Sequence, residues 1–409
     1  MTVLFIVTSF WAYGEVSIAC EFAVRVKAAG FEPMFLIPAS HEKIIKRHGF
    51  RYTTLMPRLG KVNRIIMKDL EERYHPSPVI LADFLNYNFC ENHYGLTYDD
   101  LSIFSGRLGT FDDFDWVLTG QKMDTYGFKA QKFGEIDIRK YGFGLCPCPI
   151  VNPGRKQANT YYYPLISKSL PYDRKKTEIW KRKLGLPVEK PLILFTSATW
   201  QEIYKQYPEV IAFVEAANEV FAFCLEELSR QYQVIYIGPE GYFTSRKSKS
   251  VTHLQQLAPE VFEEYLLATD VFLSRNITST ALARLALSGI PAVNLKNSVF
   301  FKDKSLDLQA LPFTPLDWVA GKLAELELCY PYRMFPVGWY NFLSPVIKGN
   351  PYLKTIKQAE QFDVNGILNT VHDLVENETA LQHLAEQRSR YLQMLEELPS
   401  VGEIIRQLV

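Results

Sequence analysis

Short apolar runs alternating with amphipathic helical stretches, twice over, constrain this chain more than any other feature. The first series opens with TVLFIVTS, continues through GEVSIACEFAVRVKAAG and reaches FEPMFLIP. Ile18, Phe22, Val26 and Ala29 recur at helical spacing, Gly30 fits a helix stop, and the next apolar run begins at once. HEKIIKRHGFRYTTL predicts a short helix, a glycine and another strand, and DFDWVLTG, around Asp115 to Gly120, reads as a later strand ending in a turn. Strands that alternate with helices form a parallel sheet covered on both faces. The right-handed crossover then gathers the loops that follow the strands on one edge.

From 144 to 175 the period is lost in CPCPIVNPGRKQANTYYYPL and SKSLPYDRKK, which reads as a connection between domains. A second series follows with IWKRKLGLP, PLILFTS, a helix around 207–230, QVIYIGP, VTHLQQL, a helix through Tyr265, DVFLS, another helix and PAVNL. The chain thus contains two Rossmann-like halves. The aromatic stretch YPYRMFPVGWYNFLSPVIKGNPY, within 302–362, reads either as a packed excursion or as a wall of a substrate site. Beyond Val364 the chain is helical, with Ile367, Val371, Leu374, Leu381, Leu384, Tyr391, Leu395 and Leu398 in an apolar stripe. Glu378 and Arg388 interrupt the heptad, which favours a helix packing back on its own domains over a coiled coil. The expected domains are 1–165, 176–363 and a helical 364–409; a chain of 409 residues, 47% hydrophobic, suits two cores rather than one.

Charge and cysteine usage exclude several function classes. Lys plus Arg (45) balances Asp plus Glu (45), so no overall field exists to hold nucleic acid or an anionic membrane, and any anion must be caught locally. No run approaches the roughly 20 apolar residues of a membrane span, and Val3 to Val7 is too short for a signal peptide. Cys146 and Cys148 flank Pro147, but no CxxC pairs with zinc spacing occur. With no HxH or HExxH either, no metal site is expected. The expected setting is the reducing cytoplasm.

Three strand ends carry candidate chemistry. In ATDVFLSRNITSTALARLALSGIPAV a strand runs into a small-polar turn and then a helix. Its first amides carry partial positive charge, and Thr278, Ser279 and Thr280 add hydroxyls, with Asn276 and Arg275 beside them. An N-cap cluster explains the same residues without a ligand. FTSATW places Ser197 and Thr199 at another strand end, and IGPEG offers Gly238 and Gly241 for close backbone approach. Open α/β sheets bind ligands along this edge.

In this order the pieces resemble the two-domain GT-B glycosyltransferases over most of the chain. GEVSIACEFAVRVKAAGFEPMFLIPA followed by IIKRHGFRY is similar to the family's first loop, helix and strands. WKRKLGLPVEKPLILFTSATW is similar to the entry into the donor half, and LLATDVFLSRNITSTALARLALSGIPAVNL to the nucleotide-sugar segment. The resemblance implies two Rossmann-like domains facing a central cleft, with a nucleotide-diphosphate sugar as co-substrate on the second domain and no cofactor. The diphosphate is expected at Thr278 to Thr280 with Ser197 or Thr199 opposite, and the base near Gly238 and His253 to Leu257. Asn350, Gln358 and Glu360 fall where relatives place polar groups near the donor sugar. Two positions depart: Arg275, Asn276 and Ile277 replace a glycine pair, and Arg284 stands where several UDP-using relatives carry a ribose-binding glutamate, so the base is not fixed.

Many inverting relatives have a histidine directly after the glycine of the first loop, acting as general base; Glu15 follows Gly14 here. A carboxylate can take the proton of an attacking alcohol equally well. The other reading of Glu15 is a first-turn charge favouring the helix dipole. Asp124 is the reserve candidate, and Trp11, Tyr13 and Gly14 are the acceptor-side expectation. A small-molecule or peptide acceptor suits the aromatics Phe84, Tyr87, Phe89, Tyr94 and Tyr98, although core packing explains them too. The alternatives are a non-catalytic binding or activator protein on the same scaffold, favoured by the missing glycine pair, and a sugar-nucleotide 2-epimerase.

Overall fold

In a computed structural model, described for residues 1–10, 13–82, 84–116, 138–166, 169–239 and 250–409, the chain divides into two compact units. One holds the N-terminal sheet together with Gln393–Val409; the other runs to Leu392. The chain changes unit inside a helix, and the helices after Val364, expected to pack back across the domains, are divided between the two units.

The first unit contains β1 (Thr2–Ile6), β2 (Glu32–Pro38), β3 (Arg51–Leu55), β4 (Val79–Leu81), β5 (Leu108–Phe111), β6 (Phe143–Cys148) and β7 (Thr160–Pro164). They lie in the order β3-β2-β1-β4-β5-β6-β7, all parallel. Helix α1 (Gly14–Ala28) buries Val16, Ala19, Phe22, Ala23 and Val26. Phe5 stacks on Phe35 at 4.9 Å and meets Phe22 edge-on. Helices α2 (Glu42–His48), α3 (Gly60–Tyr74) and α4 (Phe84–Tyr94) follow their strands. Phe84, Tyr87 and Tyr94 are buried, so core packing accounts for these aromatics.

The strand expected around Asp115 to Gly120 falls mostly outside the described residues, which stop at Trp116 here; β5 lies just before it. The stretch from 144 supplies two strands, β6 and β7, where a linker was expected. All six residues of β6 are buried, so its sequence shows no alternation, and Pro147 inside it argues locally against a strand.

The second unit contains β8 (Leu192–Thr196), β9 (Gln233–Ile237), β10 (Val251–Leu254), β11 (Val271–Ser274) and β12 (Ala292–Lys296). Two short antiparallel pairs follow, β13 (Phe301–Lys302) with β14 (Leu328–Cys329) and β15 (Tyr332–Met334) with β16 (Gly338–Trp339), before β17 (Lys357–Glu360). The main sheet runs β10-β9-β8-β11-β12-β17, all parallel. Counted along each main sheet, both follow the doubly wound order 3-2-1-4-5-6, with β7 added at one edge of the first. The order reverses between β1 and β4 in one unit and between β8 and β11 in the other.

Helices α5 (Thr177–Lys183), α6 (Pro208–Ser229), α7 (Pro259–Ala268) and α8 (Thr280–Ser288) accompany this sheet, followed by α9 (Asp317–Glu325) and α10 (Tyr340–Ile347). The 22-residue α6 buries Phe213, Val214, Val220, Phe221 and Leu225 in a core shared with Val293 and Leu295. Each such side chain contributes about 1.5–3 kcal/mol on burial. Tyr332, Phe335 and Tyr352 of the aromatic stretch are buried, which makes much of it core. Helices α11 (Val364–Glu376), α12 (Glu378–Glu396) and α13 (Val401–Leu408) end the chain. In α13, Ser400 and Glu403 form a capping box, and Val401, Ile404 and Ile405 join the core of the first unit beneath α1.

Candidate functional site

The strand ends of the second unit bring most of the candidate donor residues to one edge. After β11, Ser274 Oγ accepts from Asn276 N–H at 3.1 Å and donates to Asn276 O, turning the chain toward α8. Ile277 N–H donates to Arg333 O, and Thr278 Oγ1 donates to Met334 Sδ, so β15 braces the turn. Ser279 is the N-cap of α8 and accepts from Leu282 N–H at 3.3 Å. That leaves the amides of Thr280 and Ala281 without an acceptor among the described residues. Thr278, Ser279 and Thr280 are half-buried. The segment therefore serves as a helix cap and still presents free amide dipoles to an anion.

Arg275 does not stand with them. It is 1% exposed, its Nη1 donates to Asn218 Oδ1 at 2.7 Å, and its guanidinium lies 3.3 Å from the Phe335 ring centroid and 5.2 Å from that of Phe221. The expectation of a cation at an open anion site is corrected: Arg275 points into the core beneath α6, where cation–π contact replaces water. The guanidinium braced against this edge is that of Arg333, which the sequence reading missed. It donates to Gln358 Oε1 at 3.1 Å and lies over Tyr340 at 4.6 Å, and its Nε is buried without a partner. Asn294 is fully buried with neither amide atom paired, between its register partners Ser274 and Gln358, and the Oδ1 of Asn276 is also unpartnered. Buried polar atoms left unpaired are uncommon and mark places where a ligand or water supplies the partner. Glu360 is already engaged, accepting from Ser298 N–H at 2.9 Å and Ser298 Oγ–H at 2.8 Å and pairing with Lys296 at 2.7 Å. Asn350 caps a short turn at Tyr352. Arg284 pairs with Glu263 at 3.0 Å.

A second cluster crosses the ends of β8, β9 and β10. Phe195, Tyr236 and His253 are register neighbours and stack in a row, with ring centroids 5.4 Å and 4.9 Å apart. Tyr236 Oη donates to Pro239 O at 2.8 Å, and a phenol has one proton, so in the 2.7 Å bond between Tyr236 and Ser197 the serine is the donor. Ser197 therefore has no proton left for a phosphate oxygen in this arrangement. Thr199 is exposed at the start of a short turn and its hydroxyl makes no bond among the described residues. Gly238 O accepts from the exposed His253 ring, and a Cβ on Gly238 would lie 2.5 Å from both Ser197 Oγ and Tyr236 Oη. Gly241 lies outside the described residues.

In the first unit, Glu15 sits in the first turn of α1, half-buried, with its Oε2 accepting from Ser9 Oγ–H at 3.4 Å. It stands just past β1, where the strand order reverses. His41, unremarked in the sequence, is fully buried; its Nε2 bonds to Ser9 O at 2.6 Å and its Nδ1 has no partner among the described residues. The carbonyl can only accept, which fixes the proton on Nε2. Burial pushes the imidazole pKa down, partly offset by the Ser9 bond. Ser40 Oγ donates to Phe10 O, so two bonds from the turn after β2 brace the loop that leads to Glu15. Tyr13 is 46% exposed and Gly14 is exposed beside it. Trp11 and Asp124 lie outside the described residues.

Past β5 and within β6, Asp112, Asp115 and Cys146 place ligand-type atoms within 4.8 Å of one another, all buried. Arg155 pairs with Asp115 at 2.6 Å, Asp112 accepts from Trp116 N–H, and burial raises the Cys146 thiol pKa far above its usual range. A neutral thiol and a carboxylate already bound to a guanidinium explain the cluster as a fold element.

The model of DUF6365, a family of unknown function, matches residues 22–409. No curated protein sequence matches the chain. Among solved structures it is similar to the spinosyn forosaminyltransferase SpnP, at 14% identity over 100% of this chain and 98% of that one, with a TM-score of 0.54. It is also similar to Anabaena Alr3699/HepE in complex with UDP, at 11% identity over 100% and 98%, with a TM-score of 0.56. Arabidopsis thaliana UGT89C1 complexed with quercetin matches at 10% identity over the same shares, also at 0.56. These likenesses give the chain the GT-B fold of two Rossmann-like domains that its sequence resembles. Because the family model spans most of both units, the chain belongs to DUF6365, a family of unknown function.

Proposed function

We propose that the chain is an inverting, metal-independent glycosyltransferase that moves a sugar from a nucleotide-diphosphate donor to a hydroxyl of a small-molecule or peptide acceptor. The observation that carries this reading is the α8 start, where the amides of Thr280 and Ala281 are unengaged at the strand-order reversal of a sheet whose fold matches proteins crystallised with UDP. The amides, with Thr199 and Thr278 to Thr280, hold the diphosphate and stabilise its charge as it leaves. The outer face of His253 takes the base, and Arg333 with Asn294 and Gln358 faces the sugar. Glu15 accepts the acceptor's hydroxyl proton as the oxygen bonds to the anomeric carbon and the bond to the diphosphate breaks. The exposed Phe10 and Tyr13 support an acceptor with an apolar surface. The five cysteines given among the described residues are free and buried, which suits a reducing cytoplasm, and no described helix is long and apolar enough to cross a membrane.

The test is the thermal midpoint with UDP, dTDP, GDP, ADP and CMP, each with and without magnesium. A ligand at about 100 times its dissociation constant adds roughly 2.7 kcal/mol. A shift with one diphosphate, unaffected by magnesium, is expected; Glu15→Gln should keep that shift and lose turnover by about 10²-fold or more. No shift with any nucleotide replaces this reading with that of a non-catalytic binding protein.

A further inference from the structure

A cavity of about 470 Å³ opens in the second unit at the end of the sheet opposite the donor edge, where Gly289, Ile290 and Pro291 lead into β12. Its size falls within the range of small-molecule sites, roughly 300–1,000 Å³. Its walls come from Tyr172 and Arg174, soon after the chain enters this unit, and from Glu378 and Arg388 of α12, shortly before it leaves. Leu170 N–H donates to Ser288 Oγ at 2.7 Å, fixing the entering segment to the end of α8.

Two polar groups on this wall lack partners. Arg388 is half-buried yet makes no ion pair or hydrogen bond among the described residues, and burial lowers its pKa. Its guanidinium lies against Gly289, where φ is +98° and a Cβ would come within 2.6 Å of Nη1, so only glycine leaves the space it occupies. The Tyr172 hydroxyl is buried and unbonded. Arg174 donates to the carbonyls of Leu374 and Val375, which engages two of its hydrogens, and it has no carboxylate partner among the described residues. Among the described lining residues Glu378 is the one acidic group against Arg174 and Arg388, so they carry a net positive charge. A half-buried guanidinium with no counter-ion is costly unless an anion joins it, and its planar fork matches carboxylate and phosphate.

We propose that this cavity is a second small-molecule site, for a hydroxylated organic oxyanion. The phosphate or carboxylate group meets Arg388 and Tyr172, and the hydroxyls meet Glu378 and Gln382. The site is separate from the donor edge, so its occupancy and nucleotide binding are independently measurable, and one can fail without the other.

The experiment is titration calorimetry on the full chain at low salt with glucose 6-phosphate, citrate and inorganic phosphate. Saturable binding of glucose 6-phosphate or citrate is expected, and which of the two binds distinguishes phosphate from carboxylate. Arg388→Gln should weaken it by about tenfold or more, with Tyr172→Phe weaker by several-fold. Arg388→Lys, which keeps the charge and loses the fork, should fall between, and Ser279→Ala at the donor edge should leave it unchanged. Arg388→Gln should keep or raise the thermal midpoint, because it removes an unpaired charge. Absence of saturable binding, equal affinity in Arg388→Gln, equal binding of inorganic phosphate, or a fall in midpoint in Arg388→Gln would each overturn the proposal; the last would make Arg388 a structural cation at the end of α8.

Discussion

Replacing Gly238 with alanine tests the cluster at the ends of β8 to β10 directly. The added Cβ would sit 2.5 Å from Ser197 Oγ, 2.5 Å from Tyr236 Oη and 2.8 Å from Tyr236 Cε2. The ring cannot swing aside, because it is stacked between Phe195 and His253. Ser197 can rotate, at the loss of its bond to Tyr236, worth about 1 kcal/mol. The remaining contact must be relieved by a shift of ring or backbone, which costs typically 1–3 kcal/mol in a packed site. The expected destabilisation is therefore about 2–4 kcal/mol, read as a lower urea midpoint. With two units, the transition must first be resolved into its phases. Adding Ser197→Gly removes one of the three colliding atoms and should recover part of the loss, a coupling that a double-mutant cycle measures. A change below about 0.5 kcal/mol would refute the reasoning, since it would mean that the ring is free to move.

Lys181→Met should cost about 3–5 kcal/mol in the same unfolding assay, because it strands a nearly buried carboxylate. Lys181 Nζ lies 2.6 Å from Asp270 Oδ2, with side chains 4% and 11% exposed. Adding Asp270→Val should restore much of the loss, and an unchanged double mutant would count against the pair's role. The folded-state pKa of His41 lies below its ordinary 6.5, so the folded chain binds fewer protons there than the unfolded one. Its contribution is present above that value and lost as pH falls below it toward the folded pKa. His48 shifts in the same direction, so the difference between wild type and His41→Gln isolates His41. Acid unfolding curves should be shallower in the variant between about pH 6.5 and 5; parallel curves would refute the assignment.

Periodicity made α1 and α8 legible, and the alternation around them was enough to infer two parallel sheets. The same rule failed for β6, where burial on both faces erases alternation and Pro147 resembles a break. The capping box at Ser400 and Glu403 is a local signature that four consecutive residues carry. The candidate site was legible as a set of loops rather than as a set of roles. Glu15 and Ser279 could be placed because each lies directly at a helix start. His41 could not, because its partner Ser9 is 32 residues away and a lone histidine carries no local signal.

What the sequence determined alone is the doubly wound architecture, and with it the edge on which the strand-end loops gather. Helix and strand periods are properties of a few consecutive residues, and the handedness of the crossover does the rest. Which side chains face that edge was decided by tertiary structure. Arg275, adjacent in sequence to the turn before α8, is turned inward to Phe335 and Asn218, while β15 supplies Arg333 next to Met334, 56 residues from Thr278. Ser197 lost its free proton to a tyrosine on the neighbouring strand. Orientation and hydrogen-bond partnership depend on groups far apart in the chain, and no local pattern encodes them.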